Sequence, residues 1–78
     1  MALYKHGQFL VQNQDASFDA LHHPGNLTPH SGIYRCEVCG WEVVSEYNKP
    51  LPPQSHHTHP MRQAIQWRMV VYAQHLNP

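Results

Sequence analysis

The chain has 78 residues, with five lysines and arginines against five aspartates and glutamates, so its formal charge is zero. A length of this kind holds one small domain, which buries little surface and often needs a staple such as a disulfide or a metal. The neutral balance argues against nucleic acid or an anionic membrane as the obvious partner, because both demand a basic surface.

Residues 1–14 are polar, with Leu3, Tyr4, Phe9, Leu10 and Val11 scattered among them. No period holds there, and the stretch reads as a loose terminal arm, with a short strand over Phe9-Leu10-Val11 as the competing assignment. There is no apolar leader core, and the longest apolar run, Met69 to Ala73, is five residues. Neither a signal peptide nor a membrane span is expected, which points to a cytoplasmic setting. In that compartment two cysteines are better read as thiolate ligands than as a disulfide.

Asp15 to His23 is expected to form a short helix. Asp15 or Ser17 would cap it, Phe18 and Leu21 would share a face, and Pro24-Gly25 would end it. The main domain is expected over residues 31–73. Residues 1–30 are an N-terminal arm, partly disordered or packed on that domain through Phe18, Leu21 and Leu27, and residues 74–78 are a tail.

Ile33 to Cys36 and Trp41 to Tyr47 are strand candidates joined by Glu37-Val38-Cys39-Gly40, the length of a tight turn. The second strand alternates Trp41, Val43, Ser45 and Tyr47 against Glu42, Val44 and Glu46. Gly40 suits a turn position with positive φ. Pro50, Pro52 and Pro53 make the next segment stiff, and Pro60 disfavours helix at His59, so the histidine cluster lies on a loop. Ala64 to Ala73 is the best strand, with Ile65, Trp67, Met69 and Val71 on one face and Gln66, Arg68, Val70 and Tyr72 on the other.

The chemistry concentrates between Cys36 and His59. Cys36-x2-Cys39 delivers two thiolates from one turn, and a tetrahedral site needs two further ligands from a second loop. His56 and His59 repeat the x2 spacing, giving C-x2-C-x16-H-x2-H, and are the preferred pair. His57 is the rival to His56, since His57 and His59 at period 2 face the same way in an extended segment. His22, His23 and His30 read as surface histidines. The nucleic-acid-binding C2H2 finger has its histidines x3 to x5 apart on a helix, and this pattern does not match it. Redox chemistry at C-x2-C would need a βαβ framework that the chain lacks, and a pair of buried, reduced cysteines is the plain alternative.

Gly32-Ile33-Tyr34-Arg35-Cys36-x2-Cys39-Gly40, followed by Leu51-Pro52-Pro53, the second ligand pair and the Ile65-Gln66-Trp67 strand, resembles a zinc ribbon. The stretch is similar to small bacterial zinc-ribbon-like proteins of unassigned function. The resemblance covers about Ser31 to Ala73. By position it sets Cys36 and Cys39 in the first knuckle, and His56 and His59 where a second cysteine pair would stand. It implies a small metal-stabilised β fold, a three-stranded antiparallel sheet with a loose N-terminal arm, and no catalytic activity. Zinc suits a Cys2His2 set, whereas iron bound as in rubredoxin wants four sulfurs. The expected function is a non-enzymatic zinc-binding module, with the metal as structural staple and another protein as partner through Trp41, Tyr47, Trp67 or Tyr72. Two other functions are weighed beside it. A nucleic-acid-binding ribbon would have to rely on Arg35, Lys49, Arg62 and Arg68. A small metallohydrolase would need Glu37, Glu42 or Glu46 as base, without an HExxH arrangement to present it.

Overall fold

The computed structural model describes residues 1–74; the expected tail falls almost wholly outside the described residues. Three strands form one antiparallel sheet: β1 (Gly32–Cys36), β2 (Glu42–Ser45) and β3 (Trp67–Tyr72), in the order β2-β1-β3. The described residues contain no α-helix, only single 3₁₀ turns at Gly7–Phe9, Ala16–Phe18 and Gln54–His56.

The central strand β1 is the one whose alternation is cleanest. Gly32, Tyr34 and Cys36 are buried, while Ile33 and Arg35 are half-buried on the opposite face. Tyr34 faces Val43 on one side and Met69 on the other, and Cys36 faces Trp67. These contacts make the core: Tyr34, Cys36, Leu51, Ile65, Trp67 and Met69, with Phe18 and Val43 packed against it. Each large side chain so buried is worth roughly 1.5–3 kcal/mol, and six of them are few, which keeps the case for a staple open. Gly32 is required where it stands, because a Cβ there would land on the Val71 carbonyl oxygen.

β3 departs from the expected face assignment. Ile33 pairs with Val71, but Tyr34 pairs with Met69, so Val70 is an extra residue, a β-bulge. The alternation slips there. Trp67 and Met69 point into the core, while Val71 lies opposite Ile33 and Val44 on the outer face. The strand also starts at Trp67 rather than Ala64. The Ile65 N–H donates to the Gln54 side chain at 2.9 Å, and the Gln66 carbonyl accepts from Glu37 N–H at 2.8 Å. Those groups serve the site loops instead of a ladder.

The first thirty residues divide in two. Asp15 caps its segment as expected, its side chain accepting from Ser17 N–H at 2.9 Å, but the helix stops after one 3₁₀ turn. The chain beyond is drawn out along the sheet: His22 exchanges both backbone hydrogen bonds with Trp67, at 2.8 and 2.9 Å. Leu27 bridges Pro50 through their neighbours: the Thr28 N–H donates to the Lys49 carbonyl and the Leu51 N–H to the Asn26 carbonyl, each at 2.8 Å. Thr28 is buried, and its hydroxyl donates to the Lys49 carbonyl at 2.6 Å and meets the Ser45 hydroxyl. Phe18 packs on the core, whereas Leu21 and Leu27 stay exposed. Phe9, Leu10 and Val11 are exposed and form no strand.

Candidate metal centre

The C-x2-C turn is built by its own backbone. The Cys36 N–H donates to the Trp41 carbonyl at 2.7 Å, and the Gly40 N–H donates to the Cys36 carbonyl at 2.8 Å. Gly40 has φ of +82° and sits against the Arg35 guanidinium. The turn leaves Cys36 buried at the end of β1 and Cys39 exposed at its tip.

The second loop reaches the turn from the prolines. Pro53 leads into the 3₁₀ turn Gln54–His56, closed by His56 N–H to the Pro53 carbonyl at 2.9 Å. His57 then leaves it fully extended, at φ −158° and ψ 166°. In extended backbone, residues two apart share a side, so His57 and His59 both turn toward the cysteines.

Four side chains meet there. Cys36 Sγ lies 3.5 Å from His59 Nε2, Cys39 Sγ lies 3.4 Å from His57 Nε2, and the two Nε2 atoms are 3.2 Å apart. All four donor atoms lie within 4.8 Å of one another, a Cys2His2 group that could hold a metal ion. Its two halves differ in depth: Cys36 and His59 are buried, His57 is half-buried and Cys39 is exposed. The His59 ring is oriented from behind, its Nδ1 meeting the Gln63 carbonyl at 2.8 Å. That contact puts the proton on Nδ1 and frees the Nε2 lone pair for a metal.

Of the sequence candidates, Cys36, Cys39 and His59 are brought together, and with them His57 rather than the preferred His56. The reason is the 3₁₀ turn, which ends on His56 and sends its ring outward. His56 Nδ1 lies 2.7 Å from His57 Nδ1, outside the four-atom group. His22 is not a plain surface histidine. It is half-buried, edge-on to Tyr34 at 6.1 Å between ring centres, and burial lowers its pKa, with the charge on His30 adding to the effect. His30 stacks on Tyr72 at 4.7 Å. Trp41, expected as a strand residue or a docking aromatic, has a place in the site as well. It lies flat on the His57 ring at 4.9 Å and 8°, and the half-buried pattern of its strand carries no sign of that.

Electrostatics favour a thiolate at the deep end. Burial pushes the Cys36 thiol up, but the backbone amides of Cys39, Val38 and Gln66 and the His57 ring outweigh it and bring it down to about 6. A thiol lowered this far is ready to act as a ligand near neutral pH. Nearby charge is compensated: Glu37 pairs with Arg68 at 3.1 Å and stands 3.9 Å from Arg35.

No family model matches the chain, and no solved structure matches it. Among the described residues no helix is long and apolar enough to cross a membrane. A curated relative does match: an Escherichia coli protein named Protein L is 48% identical over 61 residues, 78% of this chain and 70% of the relative. That name states no activity, ligand or partner. At this identity and coverage, the chain belongs to the family of the Escherichia coli Protein L.

Proposed function

We propose that the chain is a zinc-binding protein in which the metal staples a small ribbon-like sheet, and that the stapled surface docks another protein without catalysis. The spacing of the donor atoms carries this reading. Tetrahedral zinc, with its usual bond lengths to nitrogen and sulfur, sets two nitrogens about 3.3 Å apart and a nitrogen and a sulfur about 3.5 Å apart. The corresponding separations here are 3.2 Å between the imidazoles and 3.4 and 3.5 Å from imidazole to thiol. Two thiolates with two imidazoles suit zinc better than rubredoxin-type iron.

Four protein donors leave a tetrahedral ion no position for water, and zinc hydrolases depend on that position. The carboxylate closest in sequence, Glu37, is engaged with Arg68. In and next to β2, Val44 and Tyr47 are 81% and 67% exposed, large side chains on the surface that favour a protein partner. Of the candidate nucleic-acid contacts, Arg35 and Arg68 both face Glu37, which leaves Lys49 and Arg62 and weakens that alternative. The ribbon likeness holds for the sheet and the first knuckle. It weakens at the second ligand pair, which is His57-x-His59 on an extended loop. A reducing compartment such as the cytoplasm would keep both thiols available.

The test is metal content and chelation on one preparation. Protein purified without added metal should carry one zinc per chain, and a chelator should abolish its near-ultraviolet circular dichroism. A metal-free protein whose spectrum ignores both zinc and chelator would overturn the reading.

A further inference from the structure

We propose that His56 is the hydrogen-bond acceptor that fixes the tautomer and ring plane of His57, so that His57 offers Nε2 to the metal; the inference deepens the zinc-site reading and rests on it. His56 is a positioning residue and not a ligand.

The argument is one of proton placement. His57 Nε2 is the atom facing Cys39 Sγ at 3.4 Å and His59 Nε2 at 3.2 Å, so it must carry a lone pair to bind metal. A neutral imidazole then holds its proton on Nδ1. That N–H faces His56 Nδ1 at 2.7 Å, which must accept, and His56 therefore carries its own proton on Nε2. The buried half of the site uses the same device, with the Gln63 carbonyl accepting from His59 Nδ1 at 2.8 Å. Each ligand imidazole thus has its own acceptor behind it, one a backbone carbonyl and the other a side chain.

Packing closes the remaining freedom. The Trp41 indole covers the His57 ring face to face, at 4.9 Å and 8°, and meets His56 edge-on at 5.1 Å and 80°. The stack limits tilting of the His57 ring and the hydrogen bond limits its spin in the plane. The two adjacent histidines therefore divide the work by backbone conformation. One ends a 3₁₀ turn and points back, and the other is extended and points in.

Any side chain with an acceptor at the position of His56 Nδ1 should serve. Asparagine places its carbonyl oxygen there, and leucine fills similar space with no acceptor. The test compares the full chain with His56→Asn and His56→Leu. Affinity for Zn2+ and Co2+ is read by chelator competition, and the ring tautomer of His57 by long-range 15N–1H NMR on reduced, metal-free protein. Loss of such an acceptor behind a ligand costs roughly 10- to 100-fold in metal affinity, and that loss is expected for His56→Leu alone. The His57 Nδ1–H form should persist in the native chain and in His56→Asn, and give way toward the Nε2–H form in His56→Leu. Equal affinity and an unchanged tautomer in His56→Leu would overturn the proposal, as would a loss in His56→Asn as large as in His56→Leu. Should the native chain take up no metal, the zinc reading falls, and the metal-free NMR still decides the role of His56.

Discussion

His59 and His57 are chemically the same ligand in unequal surroundings, and the inequality is testable. His59 is 4% exposed and held by Gln63, whereas the His57 side of the site is open to solvent beside Cys39. In His57→Ala a water can enter the vacated position and three protein donors remain. In His59→Ala the buried Cys36 thiolate loses its neighbour in a place that water reaches poorly, and an uncompensated buried charge is costly. His59→Ala should therefore weaken metal binding more than His57→Ala, by at least about 1.4 kcal/mol or tenfold, measured by chelator competition. Equal losses would mean that depth plays no part. Three members of the Cys2His2 group, Cys36, Cys39 and His59, were legible from residue spacing. The x2 spacing of His56 and His59 mirrors the cysteines and points to the member of the neighbouring pair that lies outside the group. Period 2 in extended backbone points to His57, and only the single turn at Gln54–His56, which has no side-chain period of its own, chooses between them.

At the scale of elements, β1 carries the site, since it sits between both other strands and ends on Cys36. Its pairing with β3 needs Gly32, whose missing Cβ leaves room for the Val71 carbonyl. Gly32→Ala must push β3 away or break the pair next to the bulge, and forced backbone shifts in packed regions cost about 1–3 kcal/mol. Urea unfolding of the metal-free chain should show the midpoint falling accordingly; an unchanged midpoint would mean that β3 does not close on β1 at this end. The strands themselves were legible because alternation in Tyr34–Cys36 and Val43–Ser45 matches burial. The bulge at Val70 was not, because Met69, Val70 and Val71 run on without a break in hydrophobicity. Nor was the stretch from His22 to Thr28, which joins the sheet through backbone hydrogen bonds and one buried hydroxyl pair. Backbone pairing of that kind leaves no pattern in the side chains.

For the whole molecule, the site and the arm lean on pH in the same direction. The Cys36 thiol is lowered in the fold from 9.0 to about 6, so the unfolded chain binds the extra proton between those values. Its contribution to stability is full above the unfolded value and is lost as pH falls through about 6. His22 is lowered from 6.5, mainly by burial, so its neutral ring favours the fold above that value. That contribution disappears as acid charges the ring through its lowered folded value. Both linkages make the metal-free, reduced chain gain stability steadily from about pH 5 to about pH 9. Urea midpoints across that range are the measurement, and a flat profile between about pH 6 and about pH 9 would contradict the thiolate at Cys36. Replacement by His22→Gln should flatten only the acid end, because it removes one titration and leaves the cysteine turn untouched. Zinc, where bound, should steepen the acid limb further, since protons compete for the same thiolates and imidazoles. Three stabilising terms would then fade together, so acid release of metal and loss of tertiary structure should be one event. Metal release and near-ultraviolet circular dichroism should accordingly share a midpoint, and two separated transitions would mean that the sheet stands without its staple.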